Sequence, residues 1–403
     1  MSTPVHDTPF VIDGPEFLAD PHRHYDRLRR EAPVAIGGMS VLPGQQIHFL
    51  ARYADCVALT TDPRFRRVAP DGTPPALPEA LRLLAVDSMI LKDDPEHHRL
   101  RRLVSRPFTP AAVGRLAERV HAVTGDLLDG FVAGRPVDLQ RDYAIPIPVT
   151  VISEMVGLGH DERAIFHEGM RLLVDGLSAL GMDEAVRRME DLTGFVRELV
   201  ARRRATPGED IMSGLVRASD DGDRLTDDEI VALVFLLVGA GYETTYNLIG
   251  NGVLALLRHP DQLALLVRRP ELIDTAVEEI LRWTGTVGGT KPTYAAEEVE
   301  WHGVRIPRGA MVMPLLASAN RDPAVFDRPE EFDITRSPNP HIAFSRGAHF
   351  CLGANLARME ARIAIGNLLA RFPGTRLAVD PADLATEPTP LMVRLRGLPV
   401  VPA

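Results

Sequence analysis

One cysteine stands where a helix is about to begin. The run Phe344-Ser345-Arg346-Gly347-Ala348-His349-Phe350-Cys351-Leu352-Gly353 ends just as apolar residues at Leu352, Leu356, Met359 and Ile363 start a helical period. A thiol at a helix N-terminus faces free backbone N–H groups and the positive end of the helix dipole, and both favour the thiolate. Gly347 and Gly353 allow a bulky flat partner to approach the backbone closely. A buried cysteine in a turn is the plainer alternative, but the spacing of Phe, Gly, His, Cys and Gly favours a ligand. A second segment, Ala240-Gly241-Tyr242-Glu243-Thr244-Thr245, puts an acid and hydroxyls inside an apolar stretch. Buried polar groups of that kind cost free energy unless they have partners or a task. The structural alternative is a threonine bonding back to the carbonyl four residues earlier.

Two further segments carry charge. Glu279 and Arg282 share a helix face, ordinarily a surface ion pair of about 0.2–0.5 kcal/mol. The later run Phe332-Asp333-Ile334-Thr335-Arg336 offers the same carboxylate a second arginine. In Asp94-Pro95-Glu96-His97-His98-Arg99-Leu100-Arg101-Arg102-Leu103, Asp94 is a good N-cap and Pro95 a good first helical residue. His97 and Arg101 then lie one turn apart and can grip one anion, whereas a solvated basic helix is the bland reading.

The elements that must position these groups are mainly helical. Thr226 and Glu229 form a capping box, and the helix they start runs to about Arg258, a rod of roughly 45–50 Å. Residues Ile230 to Val238 are apolar all round, so this part is buried. Shorter helices are predicted over Tyr53 to Leu59, Ala111 to Val132 and Asp161 to Ala205. Strand signals are brief: Ile47 to Leu50, a hairpin around His302-Gly303 between Val299 and Ile306, and a strand pair in the tail from Pro388 to Pro399. No repeat or linker divides the 403 residues, which reads as one domain over the whole chain.

Composition narrows the function classes. A net charge of −10, from 45 Lys+Arg against 55 Asp+Glu, argues against general nucleic-acid binding. The two cysteines, Cys56 and Cys351, exclude a disulfide framework or an all-cysteine metal site and suit a reducing cytoplasm. Met1 to Asp13 has no signal-peptide pattern, and the apolar run Ile230 to Gly241 is shorter than the roughly 20 residues of a membrane span. The expectation is a cytoplasmic protein with no membrane and no nucleic-acid partner.

Taken in order, these segments resemble a cytochrome P-450, a haem-thiolate monooxygenase of the soluble bacterial type. The resemblance runs from Asp62-Pro63-Arg64-Phe65 to Arg396-Gly397-Leu398-Pro399. It implies a mainly α fold with small β-sheets and haem b as cofactor. It implies Cys351 as axial ligand to iron and Glu243 with Thr244 as an acid–alcohol pair moving protons near O2. It places His97, Arg101 and His349 at the haem propionates, and extends the haem contacts to Ala240, Phe344 and Gly353. Glu279, Arg282 and Arg336 match the family's structural triad. Two departures stand out. The propionate-binding arginine expected before Ala295 is Thr293, with Lys291 or Arg101 as candidates to take its load. The cysteine loop opens Phe344-Ser345 in place of Phe-Gly.

The chain shows no flavin or nicotinamide fingerprint and too few cysteines for an Fe–S cluster. The resemblance therefore implies electrons from NAD(P)H through a reductase and a ferredoxin or flavodoxin, docking on Arg99, Arg102, Arg106 and Arg346, with the enzyme a monomer. Substrate-facing segments by family position are the Pro-rich loop from Val68 toward Leu91, Met170 to Met182, the residues before Glu243, Thr286 to Thr290, and Leu391-Met392. The small residues of Thr286-Val287-Gly288-Gly289-Thr290 predict a roomy pocket for a lipophilic macrolide, terpenoid or steroid. A peroxide-driven peroxygenase and a non-catalytic haem-thiolate sensor are the alternative readings, and the intact Glu243-Thr244 pair disfavours both.

Overall fold

A buried helix built from one uninterrupted apolar stretch organises the molecule. The computed structural model describes residues 10–40, 42–72, 82–83, 87–176, 182–220, 225–389 and 391–403. The Pro-rich stretch past residue 72 and the first nine residues lie outside these, as do the side chains of 170–182 that were expected to face substrate.

Five helices position the site: α1 Glu96–Ser105, α2 Pro146–Val156, α3 Asp227–Arg258, α4 Ile273–Thr284 and α5 Ala354–Arg371. The capping box on α3 is complete: Thr226 Oγ1 accepts from Glu229 N at 3.1 Å, and Glu229 Oε2 accepts from Thr226 N at 2.9 Å. Asp227, Asp228 and Glu229 complement the helix dipole at that end. α3 packs on α2, α4 and α5. Ile230, Val231, Val234, Val238, Ile249 and Val253 are buried in the main core. By length and hydropathy α3 could cross a membrane, but its apolar surface is spent inside the protein.

Eight of the short strands frame the helices: β1 Phe10–Val11, β2 Val34–Gly38, β3 Ile47–Leu50, β4 Phe65–Arg66, β5 Thr293–Ala295, β6 Met311–Pro314, β7 Thr386–Thr389 and β8 Met392–Leu395. The first six form one sheet in the order β1-β2-β3-β6-β5-β4. β4 runs antiparallel to β5, with Phe65 opposite Ala295 and Arg66 opposite Tyr294. β7 and β8 form a terminal hairpin that contacts α3. The Val299–Trp301 and Val304–Ile306 hairpin turns at His302 and Gly303, both with positive φ, as a two-residue primed turn requires.

Three local expectations shift. The single helix predicted over Ala111 to Val132 is two, Pro110–Gly114 and Ala117–Asp129, separated after Gly114, a poor helix former. α1 begins at Glu96 rather than Pro95; Asp94 still caps it, accepting from His98 N at 3.1 Å. The tail forms its hairpin between β7 and β8, while Pro399–Val401 pairs instead with Val137–Asp138 and Arg376–Leu377.

Candidate functional site

The cysteine loop is a tight turn closed by its own backbone. Cys351 N donates to Phe344 O at 3.0 Å, and Phe350 N to Gly347 O at 3.1 Å. Gly347 has φ +72, and a Cβ there would lie 2.2 Å from Thr60 O, so only glycine fits. Ser345 adopts φ +61, the conformation a glycine would take at this departure from the usual loop. At Gly353 an added Cβ would meet nothing within 4 Å, which leaves the backbone open beside the thiol. The Arg358 guanidinium lies over the Phe344 ring at 4.5 Å.

Cys351 lies deep in the structure yet keeps accessible surface, as a group facing an internal space does. Contrary to the expectation from the helix N-terminus, its thiol pKa is raised. Burial outweighs the opposing pull of the Gly353 N–H and of Arg101 and Arg358. Arg101 Nη2 donates to Phe350 O at 2.6 Å, so the loop itself takes part of that arginine. Arg358 forms a two-pronged pair with Glu278 at 2.6 and 2.9 Å, and His341 reaches the same carboxylate at 2.9 Å. Burial there raises the Glu278 pKa, but the His341 and Arg358 bonds win and hold it at about 2.

Next to the loop lies a cavity of about 410 Å³ whose walls include Arg67, His97, Thr290, Thr293 and His349. The His97 and His349 rings stand 4.1 Å apart. His97 is 3% exposed; Nδ1 meets Asp94 at 3.4 Å, but Nε2 is buried with no partner among the described residues. Burial first, and then the charges of Arg67, His97 and Arg101, press the His349 pKa down to about 3. Burial also lowers His97, against the Asp94 bond. Arg67 Nε is likewise buried without a partner among the described residues. The cavity wall thus presents a donor for which the described residues supply no acceptor.

The face of α3 that opens is confined to the segment singled out by sequence. Gly239, Gly241 and Thr244 are half-buried and Ala240 is exposed, within a helix otherwise buried over most of its length. Thr244 Oγ1 donates back to Ala240 O at 2.7 Å. Glu243 is 9% exposed and is paired with Arg394 of β8, which also donates to Glu387 at 2.9 Å. Arg394, Glu387, Tyr242 and Tyr246 line a second cavity, of about 400 Å³.

A family model described as cytochrome P-450 matches residues 179–392. The chain is 40% identical over 398 residues to cytochrome P-450 107B1 of Saccharopolyspora erythraea, covering 96% of each. It is 42% identical over 389 residues to a vitamin D(3) 25-hydroxylase of Pseudonocardia autotrophica, covering 95% of this chain and 94% of that one. The solved structure of the cytochrome P-450 PksS of the bacillaene polyketide synthase of Bacillus subtilis aligns with TM-score 0.91 at 36% identity, over 98% of this chain and 100% of that one.

The chain belongs to the cytochrome P-450 family. It is a monooxygenase, and the family implies haem and O2. The residues present fit that group. A thiol with accessible surface sits among cations and an N–H. The backbone at Gly353 is open. The Arg67 N–H with no partner among the described residues, beside the imidazoles of His97 and His349, suits the carboxylates of such a group.

The triad of this P-450 is fully assembled. Arg282 meets both oxygens of Glu279 at 2.8 Å, and Arg336 Nε reaches them at 3.1 and 3.2 Å. All three side chains are buried, so this is no surface pair. Three expectations are corrected by the geometry. Arg99 is bonded to Glu229 of the α3 capping box and is not part of an open basic patch, whereas Arg102, Arg106 and Arg346 are exposed. The glycines at 288 and 289 do not enlarge a pocket: a Cβ on Gly289 would sit 2.8 Å from Leu391, and one on Gly288 3.4 Å from the Leu391 carbonyl, because Leu391 packs over them. At the missing arginine, Lys291 contributes a backbone carbonyl to Arg67, and Arg101 is bonded to the cysteine loop. Sequence reasoning missed Arg67, Arg358 and Arg394. Arg358 lies in the helix that follows the cysteine run, but no local signal marks the other two.

Proposed function

We propose that this P-450 inserts one atom of O2 into a lipophilic small molecule of the polyketide or steroid type, with Cys351 as the thiolate ligand of haem iron. Support for the substrate class comes from the names of the relatives, a vitamin D(3) hydroxylase and a polyketide-synthase P-450, and no longer from the glycines near residue 288. The observation that carries the reading is the Cys351 thiol, enclosed but accessible, between Arg101 and Arg358 at the start of α5.

Bound haem would supply the oxygen-activating chemistry, with an anionic sulfur favouring O–O cleavage. The rest is work for the chain. Arg101, Arg358 and the Gly353 N–H favour the anionic form of Cys351 against its burial. His97, Arg101 and His349 hold the propionate edge, with Ala240, Phe344 and Gly353 around the macrocycle. Thr244 carries a hydroxyl proton on the open face of α3, parked on Ala240 O. Glu243 supplies the acid function behind it, and Arg394 positions that carboxylate. Releasing the Glu243 carboxylate from Arg394 lets it pass protons toward Thr244.

Electrons come from NAD(P)H through a reductase and a ferredoxin or flavodoxin. Arg102, Arg106 and Arg346, with Phe350 of the same loop as Arg346 42% exposed, form the docking surface for such an acidic carrier in the cytoplasm. Charge reversal at Arg102 and Arg106 together is expected to lower the carrier-supported rate and flatten its salt dependence; an unchanged dependence removes the surface from the reading. The test of the whole reading is the spectrum of the reduced, carbon-monoxide-treated protein. Wild type should show the red-shifted band of a thiolate-ligated haem and Cys351→Ala should lack it; its absence in wild type overturns the proposal.

A further inference from the structure

We infer that Arg67 provides the cationic contact to a haem carboxylate that Thr293 leaves vacant, a claim that rests on haem binding at Cys351. Strand register places it there. β4 pairs antiparallel with β5, Phe65 facing Ala295 and Arg66 facing Tyr294. Arg67 is the first residue past β4, and continuing that register by one step brings it level with Thr293. Directly opposed residues of an antiparallel pair project to the same face, with Cβ atoms about 4.5–5.5 Å apart. An arginine on the neighbouring strand therefore reaches the space that an arginine at 293 would fill.

The bonding of Arg67 fits this task. Its Nη1 donates to the carbonyls of Lys291 and Pro292, the latter at 3.1 Å, which pins one end of the guanidinium along the approach to β5. Nε is buried with no partner among the described residues. Thr293, which spends its own hydroxyl on Val312 O at 3.1 Å, lines the same cavity of about 410 Å³ as Arg67, His97 and His349. The carboxylates on that wall are already engaged. Asp93 accepts from Arg67 N at 2.9 Å and Val68 N at 3.0 Å, and Asp94 from His98 N and His97 Nδ1. Buried donors in native proteins are almost always paired. Here the Arg67 Nε–H has no acceptor among the described residues while its side chain lines the cavity beside His97 and His349, so the acceptor is a ligand that brings its own anionic oxygens.

The test measures haem retention rather than turnover. Haem-loaded wild type, Arg67→Gln, Lys291→Gln and the double variant Arg67→Gln/Thr293→Arg are each mixed with excess apomyoglobin, and the rate of haem transfer is followed by absorbance. Arg67→Gln should lose haem about tenfold faster, equivalent to about 1.4 kcal/mol. Lys291→Gln should change the rate by less than about twofold. The double variant should return to within about threefold of wild type. An arginine at 293 cannot rebuild the bonds to the carbonyls of its own strand, so rescue separates a carboxylate contact from a structural one. Transfer from Arg67→Gln at the wild-type rate overturns the inference, and so does failure of the double variant to restore retention. Should Arg67→Gln alone not fold, a folded, haem-retaining double variant supports the inference and an unfolded one overturns it. A wild type without the thiolate-type carbon-monoxide band would sink the haem-binding reading itself, a distinct result.

Discussion

Two clusters of buried charge, built from the same kinds of residue, are wired in opposite ways. Around Glu279, the carboxylate is answered from within. Arg282 bonds the carboxylate and also the carbonyls of Asn320, Pro329 and Glu331; Arg336, Asp333 N and Asn339 complete the shell. Around Arg67 and His97, which line a cavity with His349, one buried side-chain nitrogen of each has no hydrogen-bond partner among the described residues. The first arrangement satisfies itself and holds α4 to the segment that leads into the cysteine loop. The second carries a standing desolvation cost of about 1–3 kcal/mol for each orphaned group unless a ligand fills it. Burial and charge therefore do not mark a binding site by themselves; unanswered burial does.

The largest effect should come from breaking the closed cluster. Arg282→Ala leaves Glu279 buried with part of its pairing gone, and stability to urea should fall by about 3–5 kcal/mol. A loss below about 1 kcal/mol would dissolve the contrast. Glu360 on α5 tests a third solution to the same problem. It is 1% exposed, neither oxygen has a protein partner among the described residues, and burial lifts its pKa to about 8. The folded state thus keeps a proton that the unfolded chain releases near the ordinary glutamate value of 4.5. Stability from this group is present below that value and is lost as pH rises toward 8, by on the order of 5 kcal/mol. Glu360→Gln should flatten that slope and be the more stable protein at pH above 8; parallel curves for the two proteins would show that the carboxyl finds a partner.

The pair Glu243–Arg394 sits between the two cases, closed but beside a cavity. Arg394→Met should lower turnover about tenfold, a barrier change of about 1.4 kcal/mol. It should also divert more of the consumed O2 to hydrogen peroxide, with the carbon-monoxide band unchanged. Unaltered coupling would separate Arg394 from proton handling. The smallest effect belongs to the loop. Ser345 holds φ +61, where a Cβ costs about 1 kcal/mol, partly offset by the greater freedom of an unfolded glycine. Ser345→Gly should stabilise the protein by about 0.5–1 kcal/mol in thermal melts.

Much of the site could be read from the chain because its signals are local. The capping box at Thr226 and Glu229, the apolar stretch of α3, the helix after Cys351 and the His302-Gly303 turn each depend on residues within a few positions of one another. Hydrogen bonding, periodicity and φ preferences act over that range. The residue types of the triad were also visible, but their burial was not, since a glutamate and an arginine one turn apart read the same on a surface as in a core.

Tertiary structure alone decided the rest. It brought Arg394 to Glu243 across 151 positions, Arg67 to Lys291 across 224, and Arg99 to Glu229 across 130. It also reversed the expected direction of the Cys351 pKa, because desolvation depends on everything packed around a thiol whereas the helix dipole depends only on the turns of α5 beyond it. Local chemistry determined which groups this chain would carry and on what elements. Strand register and helix packing, which have no counterpart in neighbouring residues, determined which of those groups are answered and which are left waiting for a ligand.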